Sequence, residues 1–355
     1  MPAVRSWLRP TGLVSGPEAL RLVGVGAARP LLGGPQAFTL VERIGWDGGA
    51  APRRVIHPAA AIDAAMLRPF TTAHPPPFDR PRIMGILNVT PDSFSDGGAH
   101  IDEAAAIAHG RRLVAEGADI VDVGGESTRP GARPVPVEEE LRRVLPVVAG
   151  LARAGVTVSI DSRKAAVMAA AVAAGAKLVN DVSGLAFDSA APAAAARAAR
   201  QGAWIVLMHM RGTPATMNEA PAYRACLLEV AVELEARVAA ALAAGIPRDR
   251  LLLDPGFCFA KHEPHNLELL RDLALLHGLG CPLLVGLSHK GWSARLEAVQ
   301  PPAARLPGSL AAAQWALERG ARLLRVHDVA ATRQMLDAWA SLARGFAEDQ
   351  DATID

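Results

Sequence analysis

The sequence predicts a (β/α)8 TIM barrel preceded by a small N-terminal α+β subdomain. Three observations carry this. Eight short apolar runs, each ending in polar residues, alternate with Ala-rich amphipathic stretches across residues 82–345, and strand–helix alternation implies a parallel sheet with crossover helices. Eight such units in about 260 residues match the count and size of a closed barrel. A stretch that can continue neither helix nor central strand, "TTAHPPPFDRP" at 71–81, separates this region from what precedes it. An open doubly wound sheet also fits the alternation, but it usually has fewer strands and often a Gly-rich first turn, which is absent here.

The strand-like runs are "IMGILN", "DIVDVGG", "VTVSIDS", "KLVNDVS", "AWIVLMHM", "LLLDPG", "PLLVGLS" and "LLRVHD". Between them Asp102–Glu116, Val137–Ala154, Arg163–Ala174 and Ala222–Ala244 read as helices. Residues 1–72 form the appended subdomain, with strand-like "LRLVGVG", "AFTLVERI" and "RRVIHP" and a helix from Ala59 to Met66. Residues 73–81 are a Pro-rich linker, 82–345 the barrel and 346–355 a C-terminal tail. Nothing in the subdomain suggests chemistry.

Half of the 355 residues are hydrophobic and 21% are charged, which supports a sizeable core and argues against disorder. Lys and Arg number 37 against 36 Asp and Glu, so no basic field would draw nucleic acid or an anionic membrane. Cys226, Cys258 and Cys281 are odd in number, scattered and without metal-ligand spacing, so a reducing, cytoplasmic compartment is expected. No apolar stretch reaches membrane-spanning length. The start "MPAVRSWLRP" contains Arg and lacks acid until Glu18, as a transit peptide would. Its prolines and lack of amphipathic period argue against one. The Ala, Arg, Pro and Gly bias fits a GC-rich bacterial genome.

Barrel active sites lie at the carboxyl ends of the strands. Those ends hold Asn88, Asp122, Asp161, Asn180 with Asp181, His209, Asp254, Ser288 with Lys290, and Arg325 with His327. They converge as a polar, multi-point binding site. Arg325 and His327 share a strand face and suit a phosphate or pyrophosphate; the plainer alternative is that Arg325 pairs with Asp328 or a neighbouring carboxylate and His327 is a satisfied core residue. Asp161, Asn180 and Asp254 can read a heterocycle edge, although either Asp could simply cap a helix. Asp122 and Asp181 are expected to support the site from behind. Met208 and Met210 read as core, though a methionine can floor a flat ring. Two long loops, "NVTPDSFSDGG" at 88–98 and "GGESTRPGARPVPVEEE" at 124–140, crowd hydrogen-bonding groups around Phe94 and Arg129.

With these motifs together, residues from about 83 to 345 resemble dihydropteroate synthase, the folate-pathway family that joins a pterin to p-aminobenzoate. "NVTPDSFSDGG" and "GGESTRPG" are highly specific for it. The resemblance implies that p-aminobenzoate displaces pyrophosphate from 6-hydroxymethyl-7,8-dihydropterin pyrophosphate, with Mg²⁺ on the leaving group. It implies that Asn88 helps hold the metal and pyrophosphate, and that Arg325 and His327 bind the pyrophosphate. Asp161, Asn180, Asp254 and Lys290 would contact the pterin, with Met208 packed on it. Thr128, Arg129 and Pro130 would belong to a closing loop. Phe94 would wall the p-aminobenzoate pocket, while Asp92, Ser95 and Asp96 order a lid that excludes water. Partners are then small molecules, with no nucleic acid or membrane, and a homodimer is expected.

Three departures touch the second-substrate half. The family's Ser-Arg-Lys-Ser is here Ser288-His289-Lys290-Gly291, so the serine hydroxyl expected on the p-aminobenzoate carboxylate is missing. Cys258 and Ala260 stand where glycines are common. A paralogue using another arylamine, or a non-catalytic pterin binder, are the alternatives; a pyrophosphate site is superfluous in the latter.

Overall fold

The computed structural model describes residues 4–49, 51–89, 99–127, 134–213, 216, 222–290 and 301–344. Strands β1 (Arg5–Ser15), β2 (Arg29–Pro30), β3 (Gln36–Trp46) and β4 (Arg53–Pro58) make an antiparallel sheet with β1, β2 and β4 all paired to β3. Two sequence readings change here. The run "LRLVGVG" is not a strand: Leu20–Gly24 lies in helix α1 (Gly16–Gly24). Pro17 at its start and Glu18 in its first turn favour a helix, and Ala19 is buried with Ala28 and Ala37, beside Leu22 and Val23. The long strand β1 carries a weak sequence signal because Arg9 and Pro10 interrupt its apolar pattern. The helix expected from Ala59 divides into a 3-10 turn, Ala59–Ala61, and α2 (Ala64–Thr71). Asp63 sets that later start by accepting a hydrogen bond from the Ala65 N–H at 2.8 Å.

The barrel strands are β5 (Arg82–Asn88), β6 (Ile120–Gly124), β7 (Val158–Asp161), β8 (Leu178–Asp181), β9 (Trp204–Met208), β10 (Leu251–Asp254), β11 (Leu284–Val285) and β12 (Leu323–Val326). Each pairs in parallel with the next from β5 to β10, β12 pairs with both β11 and β5, and a Leu253–Leu283 bridge joins β10 to β11. The ring is therefore a barrel and not an open sheet. Helices α3 (Ala99–Ala115), α4 (Val137–Arg153), α5 (Ala165–Ala173), α6 (Ala191–Arg200), α7 (Cys226–Ala243), α8 (Glu263–Arg271), α9 (Leu306–Glu318) and α10 (Val329–Arg344) surround it. Alanine dominates α5 and α6, where high helix propensity and a small side chain allow close approach to the strands.

The linker closes the base of the barrel. Phe78 is fully buried and meets Trp204 edge to face at 4.8 Å, within an apolar layer that includes Met84, Ile120, Leu178, Leu252 and Leu323. The N-terminal sheet is fastened to the outside: Ile44 and Trp46 join the barrel's main core. Arg9 bridges Glu42 (2.9 Å) and the buried Asp272, and Arg322 Nη2 donates to the Leu32 carbonyl at 3.0 Å. Among the described residues no helix is long and apolar enough to cross a membrane.

Candidate active site

At the carboxyl ends of the strands, side chains from four strands form one bonded group. Arg325 Nε donates to Asp122 Oδ2 and its Nη2 to Asp161 Oδ2, both at 2.7 Å, and Asn180 Nδ2 donates to Asp122 Oδ2 at 3.0 Å. Because β12, β5, β6 and β7 are consecutive around the ring, an inward arginine on β12 can reach carboxylates on β6 and β7. Arg325 thus has the carboxylate partners of the plainer reading, although not Asp328. Two of its five N–H groups are committed to them, which leaves three for a further acceptor. Burial holds Asp161 above the ordinary carboxylate range; the Arg325 charge pulls it back, while Asp122 and Asp181 push the same way as burial. Asp181 supports the next loop by accepting from the Ser183 and Leu185 N–H groups at 2.7 and 2.9 Å.

Asp254 makes a local contact, at a turn and not at a helix start. Its Oδ1 accepts from the Gly256 N–H at 2.7 Å, a local turn contact. Its other oxygen makes no hydrogen bond among the described residues. Burial raises this carboxyl, and Lys290 is the first charge that opposes the shift. Burial in turn lowers Lys290, whose Nζ donates to the Phe257 carbonyl at 2.9 Å and lies 4.6 Å from the centre of the Phe259 ring. Met208 and Met210 pack with Val182 and Ala260 beneath this group. Asn88 is exposed at the end of β5.

His327 stands at the rim, tied to Ser288 through both its backbone and its ring. The Ser288 hydroxyl oxygen accepts from the His327 backbone N–H at 3.1 Å, so its hydrogen is available to the ring Nδ1, also at 3.1 Å. When the hydroxyl donates to Nδ1, Nε2 carries the ring proton. Loss of water around the ring, followed by the His289 and Arg325 charges, lowers its pKa, so at neutral pH His327 is a hydrogen-bond donor and not a cation. His289 lies parallel to it at 4.6 Å and 7°, and His289 Nε2 meets Asp328 Oδ2 at 2.6 Å.

The stretch following β10 contains backbone that disfavours side chains. Cys258 (φ 66°) and Ala260 (φ 52°) both adopt the left-handed conformation, which costs an L-residue about 1–2 kcal/mol. This is the physical reason glycine suits these two positions. Ala260→Gly is expected to stabilise the protein by up to about 1 kcal/mol, the relief exceeding glycine's extra unfolded-state entropy. A lowered denaturation midpoint would show that the Ala260 methyl group's packing outweighs the strain. Lys261 holds the stretch in place: Nζ contacts His209 Nδ1 at 2.8 Å and the Gly256 and Phe259 carbonyls at 3.0 Å. Burial lowers Lys261 to about 7. His209, with its other nitrogen 2.9 Å from Glu233, is committed to this support and does not face the mouth as an independent ligand.

Glu126 is the second anchor missed in the sequence. It accepts from Arg163 Nε (3.0 Å), Lys164 Nζ (3.1 Å) and the Val135 N–H (3.0 Å). Lys164 also pairs with buried Glu140. Burial would raise Glu126, but these donors prevail and lower it. Its place in "GGESTRPG" was the available signal; its partners lie 37 and 38 residues away. Asp92, Phe94, Ser95, Asp96, Thr128, Arg129, Pro130 and Gly291 lie outside the described residues.

The sequence profile of the pterin binding enzymes matches residues 84–327. The dihydropteroate synthase of Neisseria meningitidis serogroup C is 49% identical over 267 residues, 74% of this chain and 93% of its own. The chain belongs to the dihydropteroate synthase family. Two solved members of that family come from Xanthomonas albilineans. One, with 4-aminobenzoic acid, is 51% identical with a TM-score of 0.69. The other, in complex with 7,8-dihydropteroate, is 48% identical with a TM-score of 0.67. Each match covers 75% of this chain and 94% of the solved one.

Proposed function

We infer that the chain condenses 6-hydroxymethyl-7,8-dihydropterin pyrophosphate with p-aminobenzoate, giving 7,8-dihydropteroate and pyrophosphate. The carrying observation is the Arg325 guanidinium bonded to Asp122 and Asp161 at the barrel mouth. It joins a carboxylate-and-amide surface suited to pterin N–H groups to a cation suited to the leaving group.

The amine nitrogen attacks the pterin methylene, the carbon–oxygen bond breaks, and negative charge grows on the departing pyrophosphate as the amine loses a proton. Charges and donors already held in place stabilise that oxygen without reorganisation. Arg325 supplies its remaining N–H groups, and His327 supplies its Nε2 proton as a neutral donor. Asp161, Asn180, Asp254 and Lys290 orient the pterin, and Met208 lies under it. Among the described residues no three His, Cys, Asp or Glu side chains are grouped to hold a metal. Asn88 offers a single amide oxygen at an exposed strand end. That fits Mg²⁺ arriving on pyrophosphate, since this ion keeps waters and substrate oxygens as ligands. When bound it would neutralise charge on the leaving group.

His289 is committed to Asp328 and to the His327 ring, so we assign it to the pyrophosphate side. His289→Ala should raise the Michaelis constant for the pterin pyrophosphate roughly three- to tenfold, on the order of 1 kcal/mol for a lost ring pair, and leave that for p-aminobenzoate unchanged. A selective rise for p-aminobenzoate would assign the ring to its carboxylate instead. The reading itself is tested by a panel of arylamines: p-aminobenzoate should be turned over with the highest kcat/KM. Preference for an arylamine lacking the para carboxylate would favour a paralogue.

A further inference from the structure

We propose that the seam between the N-terminal subdomain and the base of the barrel is a second binding site, for a small organic carboxylate with a flat apolar body. A cleft of about 470 Å³ opens there, lined by Leu20, Asp79, Arg80, Arg322, Trp339 and Arg344 among others. That volume lies within the range of small-ligand sites, about 300–1,000 Å³.

Arg322 makes this cleft more than a surface dimple. Its residue is 2% exposed, yet among the described residues it has no carboxylate within ion-pair distance. Nη2 donates to the Leu32 carbonyl at 3.0 Å, and the buried Nε has no hydrogen-bond partner. Burial lowers its pKa to about 10, so it remains a cation at neutral pH, and Asp79 acts on it only from a distance. A buried cation without a counter-charge is costly, and an anion in the cleft would supply one. Arg80 and Arg344 line the same cleft, giving three guanidinium groups against one carboxylate.

The walls decide what kind of anion. Leu20 is 70% exposed and shares the cleft with Trp339, so an apolar surface faces the cations. A bare inorganic anion would leave most of this space and surface unused, whereas a planar ring bearing a carboxylate fills both. The cleft is separate from the catalytic mouth. Arg322 immediately precedes β12, while Arg325 and His327 lie toward the opposite end of that strand, about 10 Å or more along the backbone at 3.3 Å per residue. Lining residues come from both the subdomain and the barrel, so an occupant would tie one to the other. The inference stands apart from the activity assigned to the mouth.

The test is calorimetric titration of the full chain with 2-naphthoate, on the wild type and three variants. Binding is expected to weaken at least tenfold in Arg322→Met and in the surface double variant Arg80→Ala/Arg344→Ala, and to persist in Arg325→Ala. The double variant keeps the test decisive if Arg322→Met does not fold, and its turnover should match the wild type. Absence of binding, unchanged affinity in the double variant, or loss confined to Arg325→Ala would overturn the proposal. Displacement of 2-naphthoate by inorganic phosphate at equal concentration would also overturn it, because the site would then read charge without the ring.

Discussion

Arg325→Ala is expected to lower kcat/KM for the pterin pyrophosphate by 2–5 kcal/mol, roughly 30-fold to several thousand-fold, while affecting the free pterin alcohol far less. The side chain does two things at once. It offers N–H groups to the leaving group, and it neutralises Asp122 and Asp161 through contacts of 2.7 Å. Its removal leaves two buried carboxylates unpaired, so stability should also fall by about 3–5 kcal/mol. The two effects separate by pH. In the variant Asp161, raised by burial and no longer opposed by the Arg325 charge, takes up a proton more readily than in the unfolded chain, so lowering the pH should restore part of the stability. It should not restore turnover of the pyrophosphate substrate. Equal losses for alcohol and pyrophosphate in a binding titration would show that Arg325 serves only to hold the carboxylates.

Asp254→Asn is expected to cost about 1–3 kcal/mol of pterin affinity, with the fold retained. The amide keeps an oxygen for the Gly256 N–H, so the turn survives. What changes is the second oxygen, which becomes an N–H donor facing ring N–H groups, and Lys290 loses a carboxylate that favours its charged form. Equilibrium binding of a pterin, together with thermal unfolding, distinguishes the roles. Unaltered affinity at an unaltered midpoint would reduce Asp254 to a turn residue.

The barrel was legible because its signal is local: apolar runs, polar ends and helical spacing recur eight times. That Arg325 and His327 share a face follows from strand alternation alone. What those residues bond to does not, since Asp122 and Asp161 lie 203 and 164 positions from Arg325 and meet it only because the ring closes. The same applies to Lys261 on His209 and to Glu126 on Lys164. In the N-terminal subdomain local signals misled. Apolar "LRLVGVG" reads as a strand until Pro17 and Glu18 are given weight as a helix start, and β1 conceals its pairing behind Arg9 and Pro10. The left-handed backbone at Cys258 and Ala260 was visible only as a departure from glycine, without its cause.

The most direct test of the central claim is the stoichiometry of one reaction. Purified full-length chain is mixed with 6-hydroxymethyl-7,8-dihydropterin pyrophosphate and Mg²⁺, with and without p-aminobenzoate, and pyrophosphate and 7,8-dihydropteroate are measured together. One pyrophosphate per dihydropteroate, with little release when p-aminobenzoate is omitted, is the predicted result. Pyrophosphate release that does not depend on p-aminobenzoate, or binding of the pterin with no release at all, would contradict it.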